Sequence, residues 1–94
     1  MEELYFTWDE NKSLSNRDKH GVSFEEAKTV FYDDHAIEYF DPDHSWDEDR
    51  FILLGMSTKL RLLVVCPCYR EDNGVIRIIS ARRATSNERR AYEE

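Results

Sequence analysis

The spacing of apolar residues shifts along the chain, and the shifts delimit its elements. Residues 4–8, Leu-Tyr-Phe-Thr-Trp, are rich in aromatic and β-branched side chains and predict a first strand. Asp9 is placed to cap a short polar helix ending near Arg17 or Asp18. Gly21, after His20, suits the left-handed position that closes such a helix. Ser23 and Glu26 have capping-box spacing. Phe24, Ala27, Val30 and Phe31 then recur at helical intervals, an amphipathic helix that Asp33 and Asp34 end. A short strand over 36–40 leads to the loop signal Asp41-Pro42-Asp43 and an acidic stretch to Asp49 that contains Trp46 and reads as an exposed loop. Residues 50–56 predict a strand, and 60–69 a largely buried one. Asp72-Asn73-Gly74 is a hairpin signal before a strand over 75–81. Thr85 and Glu88 repeat the capping-box spacing and start a C-terminal helix with Ala84, Ala91 and Tyr92. Strand, helix, helix, three or four strands, helix is an α+β order. It predicts a small, mainly antiparallel sheet with two helices from the N-terminal half, a short C-terminal helix, and the helices on one face.

Composition narrows the class. Ninety-four residues, 40% hydrophobic with three Gly and two Pro, fit one ordered domain over 1–94 and exclude a disordered chain. The longest apolar run, residues 62–66, is far short of the roughly 18 residues of a membrane span. The acidic opening Met1-Glu2-Glu3 lacks secretory character, and Cys66 and Cys68 make no disulfide framework, so a cytoplasmic location is expected. The net charge of −7 argues against a nucleic-acid partner only as a total. Residues 1–49 carry four Lys/Arg against fifteen Asp/Glu, a balance of −11, and residues 50–94 carry nine against five, a balance of +4. Such asymmetry points to an anionic partner for the basic half, unless the charges interleave on folding.

Arg61 and Arg77 lie within apolar strand sequence, where a charge is costly unless it is paired or emerges at a functional surface. Strict alternation puts Arg77 on the face of Val75 and Ile79, and Ser80 and Arg82 on the face of Ile76 and Ile78. A sheet face carrying Arg61 and Arg77 would be a cationic floor suited to phosphates. The competing reading pairs each arginine with a carboxylate of the acidic half. His20 and His44 sit in predicted loops, His44 near Glu48 and Arg50, where histidine is the usual acid or base. A metal site gathering His20, His35 and His44 lacks any ligand-spacing pattern. Cys66 and Cys68 share a strand face at roughly 6.6–7 Å and read as packing residues.

Several stretches together resemble the BrnT toxin family. They are residues 6–12, Phe-Thr-Trp-Asp-Glu-Asn-Lys, then Asn16, then 19–27, Lys-His-Gly-Val-Ser-Phe-Glu-Glu-Ala. Asp43-His44-Ser45 with Glu48 and Arg50 resembles a middle motif. Residues 77–85, Arg-Ile-Ile-Ser-Ala-Arg-Arg-Ala-Thr, with Glu88 and Tyr92, resemble a closing one. The resemblance implies a RelE-like ribonuclease toxin of a type II toxin–antitoxin pair, without cofactor or metal, that cleaves RNA and halts translation. It implies a BrnA-like ribbon-helix-helix antitoxin as partner, with DNA met only through that antitoxin.

Under this resemblance Arg61, Arg77 and Arg82 are expected to bind phosphate and the transition state. His20, His44 and Glu48 are the acid/base candidates, and Lys19, Arg50, Arg70 and Arg83 are expected to hold RNA. One departure stands out: Pro67 precedes Cys68-Tyr69-Arg70 where the resembled pattern often has a histidine. A proline there neither donates to a strand ladder nor acts as a base. The competing functions are a non-catalytic module that keeps the toxin fold as corepressor or decoy, and a small metal-dependent hydrolase.

Overall fold

The computed structural model describes residues 3–40, 49–69 and 74–94. Its elements run β1 (Tyr5–Thr7), α1 (Glu10–His20), α2 (Phe24–Thr29), a 3-10 turn (Val30–Tyr32), β2 (Ile37–Phe40), β3 (Asp49–Met56), β4 (Leu62–Tyr69), β5 (Val75–Arg83) and α3 (Ser86–Glu93). The sheet order is β1-β5-β4-β3-β2. β2 through β5 pair antiparallel in succession, and β1 adds to β5 in parallel, so the sheet is mixed.

Local signals explain most boundaries. The Asp9 carboxylate accepts from the backbone N–H groups of Asn11 and Lys12, satisfying donors at the start of α1. Gly21 (φ 71°) closes α1 in the left-handed conformation its position predicts, and the helix runs to His20, past the expected end near Arg17 or Asp18, with Arg17, Lys19 and His20 in its last turn. The Thr85–Glu88 capping box forms in full at α3. At Ser23 only half of one forms. The hydroxyl accepts from the Glu26 N–H, but the Glu26 carboxylate turns to Ser57 and Arg61 instead. The predicted hairpin is present as the antiparallel β4–β5 pair, although residues 70–73 of its turn lie outside the described residues.

The sheet is covered on both faces, which corrects the expectation of helices on one. Val22, Phe24, Ala27 and Val30 from the α1–α2 layer pack on Leu53, Leu63, Val65, Ile78 and Ala81. Fully burying a side chain such as Phe24 or Leu63 contributes about 1.5–3 kcal/mol. On the opposite face Ala84, Ala91 and Tyr92 bring α3 against Leu54, Leu62 and Val64. Tyr92 also donates from its hydroxyl to the Asp33 carboxylate, 2.6 Å away, tying α3 to the turn before β2.

Two local devices hold the helix layer in place. Asn16, buried in α1, donates to the carbonyls of Val22 and Ala81 and accepts from the Ala81 N–H. β1 ends opposite Arg77, so the side-chain amide takes the part of a strand neighbour at the next stretch of β5. At Gly55 a Cβ would sit 2.8 Å from Val30 Cγ1 and 2.9 Å from Ala36 Cβ. Only glycine lets the 3-10 turn approach β3 so closely.

Candidate functional site

β3, β4 and β5 decide which arginines meet, through their register. Arg50 stands opposite Cys68, and Cys68 opposite Arg77, so the three form one row across the sheet. Arg50 alternates in phase with Ile52 and Leu54, which pack on the α3 side, and the row therefore belongs to that face. Both arginines are half-buried, and their Nε atoms are buried.

Arg82 joins the same face by way of a bulge. Cys66 pairs with Ser80 but Pro67 pairs with Ile78, which leaves Ile79 as an extra residue in β5. The phase of β5 inverts there. Ile76, Ile78 and Ala81 are buried together although strict alternation would separate Ala81 from the others. The expectation that Ser80 and Arg82 share the face of Ile76 and Ile78 is thus overturned. Arg82 lies opposite Val64, in a row that continues to Leu54, on the face of Arg77. Pro67 stands at the bulge in a central strand, where a missing donor is tolerated, and its ring is buried. Its phase along β4 is that of Val65, toward the helix layer. The place where the resembled pattern often has histidine therefore faces away from the arginine row.

Arg61 does not join this face. It precedes β4 and folds back on the helix layer, where its Nε donates to Glu26 at 2.9 Å and its Nη2 donates to Glu26 and to the Gly21 carbonyl. The Glu26 side chain is 1% exposed. The Arg61 hydrogen bond holds its carboxyl below the usual carboxylate range against the opposing effect of burial. Ser57 donates to the same carboxylate and accepts from the N–H groups of Lys59 and Arg61. Of the two readings of Arg61, the structure shows its pairing with a carboxylate of the acidic half. The sequence carries no signal that would have found this pair: Glu26 at the third helical position can close a capping box or serve a distant partner, and nothing local decides which.

Arg82 has a different partner. Its Nη1 and Nη2 each donate at 2.8 Å to one oxygen of Glu88, and Nη1 also reaches the Arg83 carbonyl at 3.2 Å. Glu88 accepts in addition from the Thr85 N–H. The Arg82 hydrogen bonds, reinforced by that of Thr85, lower its pKa to about 2.

The remaining candidates scatter. Lys19 and His20 are exposed at the end of α1, beside the Gly21 carbonyl that binds Arg61, and Arg83 is exposed at the end of β5. His44, Glu48 and Arg70 lie outside the described residues. Cys66 and Cys68 are free thiols on the arginine face, Cys68 buried between Arg50 and Arg77 in register. His35 is exposed in the turn before β2. Among the described residues no three of His, Cys, Asp and Glu are grouped to hold a metal ion, and no helix is long and apolar enough to cross a membrane.

Residues 8–88 match the family model described as the ribonuclease toxin BrnT of type II toxin–antitoxin systems. Among solved structures the chain is similar to the crystal structure of the Brucella abortus ribonuclease toxin BrnT. The TM-score is 0.65 and the identity 23%, over 89% of this chain and 100% of that one. A comparison with curated proteins finds no match. The matched segment spans β3, β4 and β5, which carry the arginine face, and reaches the Glu88 that holds Arg82.

Proposed function

Since this chain belongs to the family of BrnT ribonuclease toxins of type II toxin–antitoxin systems, we propose that it is a cytoplasmic, metal-independent endoribonuclease whose catalytic surface is the sheet face carrying Arg50, Arg77 and Arg82. The observation that carries this reading is the placement of three arginines on one face of β3 and β5, Arg50 and Arg77 in one row and Arg82 further along β5. Guanidinium forks match phosphate oxygens and stay charged at any working pH. In RNA cleavage the 2′-hydroxyl loses a proton and attacks the adjacent phosphorus. The bond to the 5′-oxygen breaks, leaving a 2′,3′-cyclic phosphate and a 5′-hydroxyl. Arg50, Arg77 and Arg82 would bind the phosphate and stabilise the charge that develops on it. This assigns to Arg50 a larger part than holding RNA, and removes Arg61 from the chemistry. The proton carriers in this reading come from His44 and Glu48, and Arg70 extends the contact with the RNA backbone, whereas Lys19 and His20 end α1 on the opposite side of the sheet with Arg61. The RelE-like relationship belongs to the same reading, as does a BrnA-like ribbon-helix-helix antitoxin as the partner, with DNA met only through it.

The test is expression from a tight promoter. Growth should stop, co-expression of the neighbouring antitoxin gene should restore it, and the purified chain should cleave RNA equally well in EDTA. Normal growth with intact RNA would reject the nuclease. One observation favours the alternative, a non-catalytic module that binds the antitoxin: the Arg61 and Arg82 guanidinium groups are each engaged by a carboxylate. That module would bind antitoxin tightly while Arg77→Ala and Arg82→Ala left growth unchanged.

A further inference from the structure

Arg61 and Arg82 are both paired with a carboxylate, but through different edges. A guanidinium has five N–H bonds. Arg61 gives Glu26 its Nε–Nη2 edge, the fork that phosphates and carboxylates prefer. Arg82 gives Glu88 the opposite, Nη1–Nη2 end, and its other Nη1 hydrogen serves the Arg83 carbonyl. The inventory leaves two hydrogens, one on Nε and one on Nη2. They are parallel and on one edge, and among the described residues neither has an acceptor. The Arg82 side chain is 42% exposed.

The carboxylate that sets this arrangement is itself fixed. Glu88 is the third residue of α3, and its Oε1 accepts from the Thr85 N–H at 2.8 Å while the Thr85 hydroxyl accepts from the Glu88 N–H. The helix cap thus defines where the carboxylate stands, and two bonds from the carboxylate define the plane of the guanidinium.

The geometry points to Glu88 as a positioning residue that holds Arg82 from behind and presents its Nε–Nη2 fork to an RNA phosphate. The inference rests on the nuclease reading and adds to it the edge used and the residue that aims it. An unheld arginine samples many rotamers, and one clamped at its far end loses little freedom on binding. The clamp also accounts for an apparent contradiction, an ion-paired arginine at a phosphate site, because the pair leaves the preferred fork unoccupied.

The experiment follows the Arg82 side-chain Nε–H resonance by NMR in the full chain as a 2′-O-methyl RNA oligonucleotide, which cannot be cleaved, is added. In the wild type this resonance should move downfield on binding. In Glu88→Gln, which keeps a capping-competent side chain, it should stay in place. The same variant should lose on the order of 10²-fold in kcat on unmodified RNA, with KM little changed, because the fork is misaimed rather than removed. Arg82→Lys keeps a charge that can pair with Glu88 but has no fork, and should be as impaired as Arg82→Ala. An unmoved resonance while the wild type binds RNA would overturn the inference. So would Glu88→Gln cleaving as fast as the wild type or faster, since Glu88 would then be only a structural partner or a competitor of phosphate. If the wild type cleaves no RNA but its Arg82 Nε–H still responds to the oligonucleotide in a Glu88-dependent way, the nuclease reading fails and the phosphate fork stands.

Discussion

Arg61 and Arg77 illustrate how little a residue's type says about its work. Both interrupt apolar sequence, and both are expected to be functional on that ground. Arg61 is consumed by a buried carboxylate, and Arg77 shares a row with Arg50 on the sheet face. Their substitutions should therefore fail differently. Arg61→Ala leaves Glu26 charged, buried and without its main partner, and should destabilise the fold by about 3 kcal/mol. A urea melt reads this directly, and an unchanged midpoint would refute the assignment. Arg77→Ala should leave the protein folded by circular dichroism while cleavage falls ~10²–10³-fold, as when a transition-state donor is removed. A candidate list was readable from the residues, but the partners were not. Glu26 lies 35 positions before Arg61, and no local pattern links them.

Among the elements, β5 shows the limit of periodicity. Its sequence reads as a strand, and it is one, but a single extra residue at Ile79 turns Arg82 to the other side. Bulges are settled by the neighbouring strand, here by the proline in β4, and alternation within one strand does not reveal them. The edge of β5 depends in turn on α1. Asn16→Ala removes three hydrogen bonds and leaves the Ala81 N–H and C=O and the Val22 C=O unmatched. It should cost about 1–3 kcal/mol, and the Ala81 amide should exchange with deuterium much faster. Unaltered exchange at Ala81 would show that another group serves this edge. Gly55→Ala tests the opposite kind of fit, where space is lacking. Its methyl would press on Val30 and Ala36, both of which follow from the close approach of the 3-10 turn. A loss of about 1–3 kcal/mol is expected, and a neutral thermal melt would mean that the turn can retreat.

At the scale of the whole molecule, the net charge conceals a division that folding largely preserves. The sheet centre, β3 to β5, comes from the basic half and keeps Arg50, Arg77 and Arg82 on one face, while Arg61 crosses to Glu26 of the acidic half. The pairs also make stability depend on acid. Glu26 and Glu88 both have folded pKa values below their ordinary ones, so what they contribute is present above the unfolded carboxylate pKa and is lost as pH falls. For Glu88 the loss runs from about 4.5 down to about 2. Thermal midpoints should hold steady near neutral pH and fall below pH 4.5, and Glu88→Gln should have a shallower fall. Identical pH profiles for the two proteins would contradict the pairing. RNA binding should weaken steeply with salt, and Arg77→Ala should reduce the slope by about one unit in a plot of log affinity against log salt.

Sequence patterning was enough for the kinds and order of the elements, the caps at Asp9, Gly21 and Thr85, the hairpin pairing, and the family resemblance. These are local properties, governed by side-chain period, backbone conformational preference and hydrogen bonds within a few residues. Folding in three dimensions chose the faces: α3 on the side opposite α1 and α2, Arg82 beside Arg77, and Arg61 with Glu26. Each of those outcomes depends on contacts between residues distant along the chain. The side chains were visible in the sequence, while the phase of a bulged strand and the nearest carboxylate are properties of the assembled sheet.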